Sequence, residues 1–152
     1  MSIQVEGVCA LLQVFDMPAS VRFYRDVLGF EIGETSPREG DQFDWGWLRL
    51  NNATLMLNTA YEQDDRPAQP DPARVAAHGD TCMYFRCPDV DAAYQHLRAH
   101  GMDVKEPKVA PYGMKQLYVS DPDGYMLCFQ WPAEIFSPAS ITEHTTNLLE
   151  NK

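Results

Sequence analysis

The chain has 152 residues, 45% hydrophobic and 22% charged, enough for one domain with a real core or for one domain made of two small halves. Its 22 acidic and 12 basic residues give a formal net charge of −10, which argues against a nucleic-acid partner, because phosphate binding needs a basic face. No apolar run approaches the roughly 18 residues of a membrane span. The start, MSIQVEGV, lacks a basic segment followed by an apolar one, so a cytoplasmic location is expected. Cysteines occur at 9, 82, 87 and 128, none in a CxxC pair and each inside an apolar run. They are expected as free thiols acting as small hydrophobes.

Residues 5–15 form a near-continuous apolar run, as expected of a strand covered on both faces. Asp16 is placed to cap a helix, and Pro18 suits its first turn. Val21, Tyr24, Val27 and Leu28 recur at helical spacing, with Arg22, Arg25 and Asp26 opposite. Gly29 should end the helix, and residues 30–34 make a short strand before a polar loop at 36–41. Residues 43–50 and 53–59 form a hairpin around Asn51 and Asn52, since Asn tolerates the positive φ of a tight turn. That turn fixes the register: Leu50 opposes Ala53, Arg49 Thr54, Leu48 Leu55, Trp47 Met56 and Trp45 Asn58. Opposed residues share a face. Leu48, Leu50, Leu55 and Leu57 make a face for helices to cover. The other face carries Trp45, Trp47, Arg49, Thr54, Met56 and Asn58, a mixture of aromatic and polar groups that is the usual lining of a small-molecule site.

Residues 61–79 hold Pro67, Pro70 and Pro72 among acidic residues, followed by Arg74, and read as a linker between halves. A weaker copy of residues 7–30 then recurs at 81–102: a strand at 81–87, and a helix from Asp89 and Asp91 with Val90, Ala93, Tyr94 and Leu97 inward. Gly101 stops that helix, and residues 102–104 are expected to be extended. Residues 114–120 and 125–131 form a second hairpin around Asp121-Pro122-Asp123-Gly124. Ser137 with Pro138 starts a possible tail helix carrying Ile141, Thr145 and Leu148. Each half reads β-α-β-β-β, an α+β fold with module 1 at about 5–60, module 2 at about 80–131 and a tail at 132–152. No glycine-rich phosphate loop follows any strand.

The stretches VFDMPASVRFYRDVLGFEIG, CPDVDAAYQHLRAHGMDV and YGMKQLYVSDPDGYMLCFQ, which together span most of residues 7–131, resemble the vicinal oxygen chelate superfamily. That group includes glyoxalase I, the extradiol dioxygenases, and the fosfomycin- and bleomycin-resistance proteins. The resemblance implies a single domain over residues 1–131, with two βαβββ modules forming a U-shaped cleft that is commonly completed by a homodimer. It also implies a divalent metal, held by His and Glu from the first and last strand of each module. The matching positions here are Cys9, Met56, Cys82 and Cys128. None offers an imidazole or carboxylate, and a hard Lewis-acid metal wants oxygen and nitrogen ligands. No metal, cofactor or catalytic residue is therefore expected. A contrary reading has Cys9, Cys82 and Cys128 converging as thiolates on zinc or a softer ion.

His96 and His100 lie four apart on the second helix and read as a solvated pair, while His78 and His144 match no family ligand position. What remains is similar to the metal-free bleomycin-resistance branch, which sequesters its ligand. The expected binding residues are Trp45, Trp47, Arg49, Met56 and Asn58, joined by Gln13, Tyr84 and Arg86. The expectation is a homodimeric small-molecule binder without catalysis; the alternative is a metal-dependent lyase or dioxygenase with ligands at shifted positions. Plain core packing or a dimer contact is the competing reading for the two Trp residues.

Overall fold

A computed structural model describes residues 1–133; the tail helix expected from Ser137 lies outside them. Two four-stranded sheets are formed, each built from one β-α-β-β-β module. By its contacts the chain divides into two compact units. Among the described residues, the first comprises Met1–Asp80 with Ser120–Tyr125, and the second comprises Thr81–Val119 with residues 126–133.

In the first unit β1 (Ala10–Val14), β2 (Glu31–Thr35), β3 (Trp45–Leu50) and β4 (Ala53–Thr59) run in the order β1-β4-β3-β2. The β3–β4 hairpin has the register expected from its two-residue turn, from Leu50 opposite Ala53 to Trp45 opposite Asn58. Asn51 takes φ 53°, the left-handed conformation that such a turn demands. Leu48, Leu55 and Leu57 are buried. The helix α1 (Met17–Val21) continues as a wider π turn over Arg22–Val27. Asp16 caps it through a 3.1 Å bond from the Ala19 amide, and Gly29 leaves it at φ 91°. The wider turn shifts the buried face. Val21 and Tyr24 are buried as expected, but Phe23 joins them, while Val27 and Leu28 are only half-buried.

The expected strand over residues 5–15 is shorter and one-sided. Only residues from Ala10 pair, Leu11 is 44% exposed, and Ile3, Val5 and Val8 lie open. The next stretch carries a short helix, α2 (Pro72–Ala77).

In the second unit β5 (Cys82–Arg86), β6 (Lys108–Val109), β7 (Met114–Ser120) and β8 (Met126–Pro132) run in the order β5-β8-β7-β6. Helix α3 (Val90–Ala99) is capped by Asp89 and buries Val90 and Leu97, with Ala93 and Tyr94 half-buried beside them. The edge strand is not the expected 102–104 but Lys108–Val109, which pairs with Gln116 and Lys115. Among the described residues, no helix is long and apolar enough to cross a membrane.

Candidate functional site

Each sheet has one face that its own helix does not cover. On the first sheet, parallel pairing sets Leu11 beside Met56 and Gln13 beside Asn58, while the hairpin sets Met56 beside Trp47 and Asn58 beside Trp45. Because paired residues share a face, Gln13, Asn58, Trp45, Met56, Trp47 and Arg49 form one continuous surface. Trp45, Trp47, Met56 and Asn58 are half-buried, so their outer edges remain open to a ligand. The Trp47 ring lies across Gly33 of the neighbouring strand: a Cβ there would sit 2.5 Å from Cε3 of the ring. Glycine is required at this position by packing, not by backbone conformation.

The polar pair on this surface is fixed from below. Asn58 Nδ2 donates to Gln13 Oε1 at 3.1 Å. The Gln13 carbonyl accepts from Arg74 Nη2 at 2.6 Å and from the Tyr125 hydroxyl at 3.2 Å. Arg74 also donates to Asp123 at 2.7 Å. Asp123, only 2% exposed, accepts further from the Phe15 amide at 2.8 Å and from Ser20 Oγ at 3.4 Å. His78 bonds the Asp123 carbonyl at 2.7 Å and stacks on Tyr125 with ring centroids 3.9 Å apart. Asp121 accepts from the Tyr24 hydroxyl at 2.8 Å, and burial holds its carboxyl above the ordinary range. Burial also pushes the Tyr24 phenol up. Arg49 reaches Glu31 at 3.4 Å in an exposed pair, which contributes little stability.

On the second sheet β5 and β8 pair in parallel, Cys82 with Met126, Tyr84 with Cys128 and Arg86 with Gln130. Tyr84 is 54% exposed and Tyr118 42%. The Tyr118 phenol is raised, first by its interaction with Tyr84 and then by burial, with the neighbouring Cys128 adding to the shift. Burial raises the Cys82 and Cys128 thiols, against hydrogen bonds from Tyr84 and Tyr118 respectively. Buried Gln116 accepts from Tyr118 at 3.2 Å and donates to Tyr112 and Gln130, each at 2.8 Å. Arg86 lies 5.3 Å over the Trp131 ring, a cation–π contact. Tyr118, Gln116, Tyr112 and Met126 escaped the sequence reading. Strand alternation with Tyr84 and Cys128 would have placed Met126 on this face.

The residues at the superfamily's metal positions do not fit its metal. Cys9 and Met56 belong to the first unit, Cys82 and Cys128 to the second, and none supplies oxygen or nitrogen. Among the described residues, no three His, Cys, Asp or Glu side chains come together in a way that could hold an ion. His96 and His100 lie on exposed positions of α3 with ring centroids 4.2 Å apart.

Residues 7–129 match the family model of the Glyoxalase/Bleomycin resistance protein/Dioxygenase superfamily, and the chain belongs to that superfamily. It is 33% identical over 114 residues to the uncharacterized protein YaeR of Escherichia coli, covering 74% of this chain and 84% of that one. Among solved structures it resembles TnmS3, an antibiotic binding protein from Streptomyces sp. CB03234. The TM-score is 0.62 at 24% identity, over 87% of this chain and all (100%) of the other. It also resembles a lactoylglutathione lyase from Agrobacterium tumefaciens, with a TM-score of 0.60 at 22% identity, over 84% and 94% of the two chains. At these identities the structural likenesses establish the fold.

Proposed function

We propose that the protein binds and sequesters a flat small molecule on the aromatic face of its first sheet, without catalysis and without a metal. The observation that carries this reading is the surface of Trp45, Trp47 and Met56 flanked by the oriented Gln13–Asn58 amide pair. Indole planes favour flat or cationic ligands by about 0.5–2 kcal/mol each, and the amide pair offers directional hydrogen bonds. Thioether and thiols at the superfamily's ligand positions support the absence of a Lewis-acid centre. The likeness to an antibiotic binding protein is consistent with this function. Tyr84 and Arg86 are candidates on the second sheet's own face, Arg86 less so because Trp131 engages it. The protein acts as a cytoplasmic homodimer in this proposal, in keeping with four free cysteines. Titration with bleomycin and with planar cationic dyes, read by tryptophan quenching, tests it. Absence of quenching by any of them sinks the drug-binding form. Stoichiometric Fe, Mn, Ni or Zn in protein purified without chelator would favour a metal-dependent lyase or dioxygenase instead.

A further inference from the structure

The second sheet places three sulfur-bearing side chains together. Cys82 pairs directly with Met126, and Cys128 lies two residues further along the same strand. Strand alternation puts all three on one face. Neighbouring strands lie about 4.8 Å apart, so the Cys82 and Met126 side chains are adjacent. Cys82 and Cys128 are diagonal neighbours, and the strand spacing with a two-residue rise of about 6.6 Å puts their Cα atoms about 8 Å apart. That is beyond the about 7 Å limit for a disulfide without backbone movement, and both thiols are free. Two metal–sulfur bonds of about 2.3 Å each span about 4.6 Å between sulfurs. An interposed ion therefore bridges a longer separation, up to that roughly 4.6 Å, than a direct disulfide can.

The donor set selects the ion. Thiolate and thioether together favour copper(I) over zinc, and they do not suit magnesium, calcium or manganese. Zinc takes four ligands in a structural site, whereas the face supplies three sulfurs. Tyr84 stands beside Cys82, and Tyr118 beside Cys128. Such outer partners orient ligating side chains. We propose that Cys82, Met126 and Cys128 form a three-sulfur site for a soft, thiophilic cation of the copper(I) type. On binding, each thiol passes its proton to solvent and forms one copper–sulfur bond, and Met126 adds a neutral third. Two protons leave for one cation, and no electron is transferred. This site is independent of the aromatic face of the first sheet, so its failure leaves that proposal standing.

The test is anaerobic titration of the full-length protein with copper(I) held as its bicinchoninate complex, with proton release followed in weak buffer. The expected result is withdrawal of one equivalent by the parent protein, with release of two protons. Cys9→Ser and Cys87→Ser should behave like the parent. Cys82→Ser and Cys128→Ser should withdraw none, and Met126→Leu should compete less well. Cys82 is half-exposed, so its Ser variant keeps the test available if Cys128→Ser fails to fold. No withdrawal by the parent, or withdrawal that survives Cys82→Ser, overturns the proposal.

Discussion

Gly33→Ala tests whether the aromatic surface is as rigid as its packing implies. The new Cβ would meet Cε3 of Trp47 at 2.5 Å, Cζ3 at 3.0 Å and the Trp47 carbonyl at 3.2 Å. An ordinary carbon–carbon contact is about 3.5–4.0 Å, so the indole must lift by about 1 Å. Two effects oppose each other. Removing a glycine from a strand interior favours folding by about 0.5–1 kcal/mol. Overpacking costs about 1–3 kcal/mol, and here one of the crowded atoms is backbone that cannot swing aside. The net expectation is a loss of about 1 kcal/mol, read as a lower urea midpoint by far-UV circular dichroism. The near-UV tryptophan signal should change with it, and ligand affinity should fall because Trp47 no longer lies flat. A variant as stable as the parent, with an unchanged near-UV spectrum, would refute the packing argument.

Arg74→Met should cost about 3 kcal/mol, because it strands a buried Asp123 carboxylate; if pairing with Asn at position 123 recovers none of the loss in urea unfolding, the ion pair is not its cause. Trp45→Ala and Trp47→Ala should each weaken a planar cationic ligand by about 2- to 30-fold, from the roughly 0.5–2 kcal/mol of one aromatic contact, in a fluorescence or calorimetric titration. Asp121 keeps its proton in the folded protein above the ordinary value of 3.8, so across that window the unfolded chain binds fewer protons. Its contribution to stability is complete below the window and declines as pH rises through it. Asp121→Asn should therefore gain on the parent as pH rises, measured by denaturant midpoints at a series of pH values. Cys128, buried with its thiol raised, should resist iodoacetamide at neutral pH until the protein is unfolded, as mass spectrometry of the labelled peptide would show.

Local rules made much of this molecule legible in its sequence. A two-residue Asn turn fixes the alternation of every residue after it, which is why the partners of Trp45 and Trp47 could be named in advance. Asp16, Gly29, Asp89 and Gly101 act through bonds or φ values of their own segments, and they stand where expected. Apolar runs misled where burial was inferred from composition alone. Val5 and Val8 are exposed, and the edge strand falls at Lys108–Val109 because two backbone pairings suffice without any hydrophobic pattern. The bonds from Arg74 and Tyr125 to the Gln13 carbonyl join residues 61 and 112 positions apart, a separation no local pattern signals. The Tyr118–Gln116 network leaves no signature in the sequence, because polar residues alternating along a strand read equally as a solvated face.

The proposed surface binds its ligand without a hard metal. The direct measurement is the tryptophan-quenching titration with bleomycin and planar cationic dyes, run on protein before and after exhaustive treatment with EDTA. Saturable quenching with the same midpoint in both samples is predicted. Quenching that vanishes after chelation and returns with added iron, manganese, nickel or zinc would contradict it.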